Sequence, residues 1–214
     1  MSRHLPTIES IKENISYLKE LIGDNTIIMP QTTIVDNKSY AIEIEKTPYH
    51  EFIVFADYHY FISRVLFMNS LDLYSFFAGQ QCIENYLKAF VRFKKKIPEK
   101  THCLTDLLKT CKEHAKKEDE FLFSDEILTI IFKYEPFNEI SRYPVSKTKI
   151  NGYMSSYPED IYLLDYFVYK FREIIPFPER YRDLLKGDHF YVNSCKEHSP
   201  LMYEYFTNGN INYK

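Results

Sequence analysis

The chain has 214 residues, 45% apolar and 27% charged, with a net charge of −3 at pH 7. That length suits one domain with extensions and a full hydrophobic core. No apolar run nears the roughly 18 residues that span a bilayer, only five glycines disfavour a turn-rich all-β fold, and overall acidity argues against a dedicated duplex-DNA binder.

In chain order, residues 8–22 are the first expected helix, since Ile8, Ile11, Ile15, Leu18 and Ile22 recur every three or four positions. Thr7 can cap it and Gly23 can end it. Within residues 26–45 the segments TTIV and YAIEIE, separated by Asp36, Asn37 and Lys38, predict a short β-hairpin between Pro30 and Pro48. Helices are then expected at 50–68, at 71–95 and at 103–116, with a charged break at 116–120. Ser124 or Asp125 opens a further helix towards Ile140, interrupted at Pro136. Residues 142–158 read as a loop. Pro158, Glu159 and Asp160 open a helix running to Ile174, with its acids in the first turn. Pro176 and Pro178 close it, leaving one short helix at 179–186 and an irregular aromatic tail.

The helix at 71–95 is apolar nearly all round, which suits the centre of a bundle. Leu73, Glu84, Leu87 and Val91 fall within roughly 40° of Gln80 on a helical wheel, so Gln80 and Glu84 are polar groups on a partly buried stripe and need partners. Lys88, four residues after Glu84, supplies one. Gln80, Glu84 and Lys88 are therefore expected to form a structural polar core. His102 is expected to cap or orient its helix, and His59 to be a satisfied, semi-buried imidazole.

The net charge conceals an asymmetry. Residues 86–117 hold ten Lys/Arg against Glu99, Asp106 and Glu113, a balance of +7, so the remainder carries −10. Arg92, Lys94, Lys95, Lys96 and Lys100 form a candidate phosphate-attracting patch, with a solvated helix face as its bland counterpart. Cys82, Cys103, Cys111 and Cys195 show no CxxC spacing, so free thiols are expected, those of Cys82 and Cys103 buried. With no signal-peptide core near Met1, the expectation is a cytoplasmic protein. No HExxH or paired His/carboxylate spacing predicts a metal site, and no glycine-rich phosphate loop predicts a cofactor.

The string GQQCIENYLKA at residues 79–89 is followed by Thr101, His102, Cys103 and Leu104, then Leu107 and Leu108. Arg142, Tyr143 and Pro144 come after these. In that order the three pieces resemble the HEPN domain (higher eukaryotes and prokaryotes nucleotide-binding), whose second long helix reads roughly aqQa-EkylKAll. The resemblance covers about residues 55–174. It implies a mainly α protein, an antiparallel four- to five-helix bundle, dimeric, which binds nucleotide or cuts RNA. Here the N-terminal helix and hairpin arm would occupy 1–50, the bundle 51–175, and a C-terminal helix and tail 176–214. RNA-cutting members pair an arginine with a histidine separated from it by four to six residues, the histidine to accept a ribose 2′-OH proton and the arginine to hold the phosphate. The aligned arginine is Arg142, but positions 147, 148 and 149 are Lys147, Thr148 and Lys149.

The expected function is therefore nucleotide or RNA binding without ribonuclease activity, through Arg92, Lys94, Lys95, Lys96, Arg142 and Lys147. One alternative is a helical dimerisation module acting on a protein partner. Another is a metal-independent ribonuclease using Arg182 and His189, the one other pair at similar spacing; with seven arginines and seven histidines, about one such hit arises by accident.

Overall fold

The computed structural model describes residues 46–140, 158–186 and 189–213, and every regular element among them is helical. The helix expected at 8–22, the hairpin within 26–45 and the loop at 142–157 lie outside the described residues. The helices are α1 (Tyr49–Met68), α2 (Asp72–Phe93), α3 (Leu104–Glu113), α4 (Asp125–Tyr134), α5 (Phe137–Ile140), α6 (Pro158–Ile174), α7 (Phe190–His198) and α8 (Pro200–Thr207), with a 3-10 segment, Lys117–Phe123, between α3 and α4. None is long and apolar enough to cross a membrane.

Paired contacts fix the register of the bundle. Thr47 meets Arg92, Asp57 meets Tyr86, and the hydroxyls of Ser63 and Ser75 each donate to the other's backbone carbonyl at 2.9 Å, so α1 and α2 run antiparallel. Arg64 with Asp165 and Asp57 with Arg172 set α6 antiparallel to α1 in the same way. α2 lies at the centre, with α1, α3, α4, α5 and α6 all packed against it. Its aromatic residues meet those of α6 around Phe171, whose ring lies 4.4 Å from Phe167, 6.0 Å from Tyr86 and 6.3 Å from Phe90. Each such side chain buried contributes about 1.5–3 kcal/mol.

Two helices end in the same device. After α1, Ser70 N–H bonds Phe67 O and Leu71 N–H bonds Leu66 O; after α2, Lys95 N–H bonds Arg92 O and Lys96 N–H bonds Val91 O. These are Schellman motifs, and the left-handed position, usually glycine, is Ser70 (φ 57°) in one and Lys95 (φ 60°) in the other. α4 starts at Ser124, whose hydroxyl accepts from Ile127 N–H at 3.3 Å. The break at Pro136 separates α4 from α5.

The C-terminal part departs from expectation. Residues 179–186 form turns rather than a helix. Asp183 is the reason: its carboxylate accepts from Leu185 N–H at 3.0 Å and from Arg172, so side-chain-to-backbone bonding replaces a helical ladder. In place of an irregular tail, α7 and α8 follow, and buried Phe206 anchors α8 beside Phe61 at a ring separation of 4.7 Å. The segment beyond α8 then enters a buried polar network. Tyr60 Oη donates to Asp165 Oδ1 (2.5 Å), lies 2.8 Å from Asn210 Oδ1 and accepts from Asn212 Nδ2 (3.0 Å), while Arg64 pairs with Asp165 and donates to Asn208 O (2.8 Å). Cys82 and Cys111 are buried and Cys103 is half-buried, all free thiols.

Candidate functional site

The polar stripe of α2 is a buried pair, Gln80 and Glu84, reached from the surface by exposed His102. Gln80 is fully buried and Glu84 is 3% exposed. Lys88 Nζ reaches Glu84 Oε1 at 2.6 Å, His102 Nδ1 lies 3.0 and 3.1 Å from the two carboxylate oxygens, and Gln81 Nε2 donates to Oε2 at 3.3 Å. Gln80 Nε2 donates to His102 O at 3.1 Å, which ties the residue ahead of α3 to the middle of α2. Since the Glu84 carboxylate accepts from every neighbour, the His102 nitrogen facing it carries the proton. The N-terminus of α3 is capped from elsewhere: Glu135 accepts from Leu104 N–H (3.2 Å), Thr105 N–H (2.8 Å) and the Thr105 hydroxyl (3.0 Å). His102 thus orients the helix through α2 and leaves the cap to Glu135.

The basic residues divide into two groups. Arg92 donates to Thr47 O (3.0 Å) and Lys96 O (3.1 Å), closing the C-terminal end of α2. Lys94 pairs with buried Asp119 at 2.6 Å and lies over the Phe90 and Phe93 rings. These two cations are committed to the fold. Lys95, Lys96 and Lys100 are exposed. The Lys94–Asp119 bridge also brings exposed Lys116 and Lys117 to the same end of the bundle, with Glu118 3.9 Å from Lys116 as a partial offset. Sequence spacing linked Arg92 with Lys94, Lys95 and Lys96, but gave no signal that Asp119 would take Lys94 or that Lys116 and Lys117 would join the others. Arg142 and Lys147 lie outside the described residues.

Arg182 is exposed, whereas His189 is 6% exposed and its Nδ1 accepts from Tyr191 N–H at 3.2 Å, capping α7. The structure also holds a cluster that the sequence did not disclose. Asp57 on α1 accepts from Tyr86, and its other oxygen is 4.0 Å from Arg172 Nη1; the same guanidinium binds Asp183. Burial raises the Asp57 pKa to about 7, against the opposing pull of Arg172 and the Tyr86 hydroxyl. Among the described residues no group of three or more His, Cys, Asp or Glu could hold a metal ion.

The HEPN domain profile matches residues 50–163, more than half of the chain and the stretch that contains α1 to α5 and the start of α6. This chain belongs to the HEPN domain family. Neither a curated protein nor a solved structure matches it. Membership places this HEPN protein at the family level among those with nucleotide- or RNA-related functions. The α2 cluster and the basic end of that helix both lie inside the matched stretch, whereas Arg172, Arg182, Asp183 and His189 lie beyond it.

Proposed function

We propose that this HEPN protein binds RNA or nucleotide phosphates at the C-terminal end of α2, through Lys95 and Lys96, with Lys116 and Lys117 beside them. One observation carries the reading: Lys95 occupies a left-handed backbone position, φ 60°, with its side chain exposed. A non-glycine residue there costs on the order of 1–2 kcal/mol. Ser70 holds the same position after α1 with a neutral side chain, so it is the charge held here, beside exposed Lys96, Lys116 and Lys117, that points to a use for the side chain. The family reading has Arg142 contribute from the segment that follows α5, and the lack of a histidine at 147–149 favours binding over cleavage. Dimerisation, expected of the family, belongs to the same proposal.

The test separates charge from fold. Labelled single-stranded RNA should bind with an affinity that falls linearly in log–log form with salt. Replacing Lys95→Gly and Lys96→Ala should flatten that slope and weaken binding. Lys95→Gly alone should raise stability by about 1 kcal/mol by urea denaturation, because glycine removes the strain. Lys94→Ala is the wrong probe, since it leaves buried Asp119 without its cation. Binding that ignores salt, or that the double substitution leaves unchanged, rejects the proposal.

A further inference from the structure

A hollow of about 450 Å³ opens between the end of α6, the turns at 183–186 and the C-terminal residues 211–212. Its volume falls in the range of small-ligand sites, and it lies beyond the residues matched to the HEPN domain. The charges along its wall cancel with one exception. Arg172 is taken by Asp183 and faces Asp57, and Glu173 accepts from Lys170 at 2.9 Å. Lys186 is exposed, and among the described residues no ion pair or side-chain hydrogen bond engages its ammonium group. A single uncompensated cation at a concave site favours an anionic ligand.

The remaining wall suits a flat ring. Tyr169 and Phe177 line the hollow, with apolar Leu185 and Ile211. Two contacts fix the aromatic side chains. The Arg172 guanidinium stands 4.7 Å from the Phe177 centroid, and Lys170 Nζ lies 5.9 Å from the Tyr169 centroid. Aromatic groups held this way present area at little entropic cost. Tyr169 is still 38% exposed and Ile211 53%, so covering them would remove apolar surface from water.

We propose that this hollow binds a planar aromatic ring bearing one anionic group, with the ring against Tyr169 and Phe177 and the anion on Lys186. A nucleoside monophosphate and a small aromatic carboxylate share that chemistry. The hollow shares no lining residue with the basic end of α2, so each proposal is tested by its own substitutions.

Calorimetric titration of the full chain with AMP, adenosine, salicylate and inorganic phosphate provides the test. At least one aromatic anion, AMP or salicylate, saturates the site, and whichever does so identifies the source class. Lys186→Ala, an exposed position that threatens no packing, lowers that affinity about tenfold, as expected for one charge-assisted contact. The same variant leaves any adenosine binding unchanged. Phe177→Leu weakens ring-bearing ligands, and Lys95→Gly with Lys96→Ala leaves the titration as it was. Three results overturn the proposal: no saturation by either aromatic anion, an affinity unmoved by Lys186→Ala, or inorganic phosphate binding as tightly as AMP.

Discussion

Gly79 shows how one missing methyl group sets the distance between two helices. A Cβ built there would stand 2.3 Å from Tyr134 Cε1, well inside contact. The ring cannot step aside, because Tyr134 is 2% exposed, its hydroxyl donates to Asp160 O at 3.1 Å, and Phe76 lies 5.3 Å away. On an open helix surface, Gly→Ala would gain about 1 kcal/mol of helix propensity. Here overpacking costs roughly 1–3 kcal/mol and reverses the sign. Gly79→Ala is therefore expected to lower the urea midpoint. In Tyr134→Leu, which withdraws the ring, the same change should become neutral or stabilising. A raised midpoint for the single variant would show that α2 and α4 do not approach so closely. Gly209 (φ 64°) takes the left-handed position just past α8, whereas α1 and α2 end with serine and lysine there instead of glycine.

Among the elements, those with strong periodicity and clear punctuation were legible beforehand. α1, α2, α3 and α6 follow apolar spacing, α4 starts at its serine cap, and Pro136 interrupts the chain where proline chemistry requires. The Glu84–Lys88 ion pair was readable too, because helical spacing alone brings the two together. What escaped depends on contacts between residues far apart in sequence. The strand-like and polar composition of α7 hides a helix that is held by buried Val192 and by His189 at its cap. α8 is held by Phe206. The chain beyond it is held by Asn210, whose Nδ2 donates to Phe206 O (2.9 Å) and whose Oδ1 accepts from Asn212 N–H (2.9 Å) close to the Tyr60 hydroxyl. The basic site was half legible for the same reason: local spacing showed the lysines, but only the fold shows which carboxylate takes which. Asn210→Ala deletes both bonds at a 7%-exposed position, and a loss of roughly 2–3 kcal/mol is expected. Hydrogen exchange should then rise first in α8. Uniform protection across α6 and α8 in that variant would show that this residue does not anchor the C-terminal segment.

At the scale of the whole molecule, the Asp57 cluster joins α1, α2, α6 and the turns at 183–186, and so makes global stability depend on pH. The groups facing Asp57 are Tyr86 and Cys82 from α2, Arg172 from α6 and Asp183 from the turns. Its pKa is raised from the ordinary 3.8 to about 7, chiefly by burial. Between those values the folded chain keeps a proton that the unfolded chain has lost, so stability falls as pH rises from about 4 to about 7 and then levels off. The full difference is worth roughly 4 kcal/mol. Asp165, whose pKa burial also raises, acts in the same direction. His50 and His59 oppose both: burial lowers their pKa values, so each withdraws stability as pH falls below about 6.5. Because these contributions overlap in the wild type, the informative quantity is a difference. Asp57→Asn keeps the side-chain shape and an acceptor for Tyr86 but cannot titrate. Denaturation of both chains between pH 4 and 8 should show the wild type losing stability relative to the variant as pH rises, with the loss levelling off near pH 7. A difference independent of pH would mean that Asp57 is already ionised at pH 4 and pairs with Arg172 as an ordinary salt bridge.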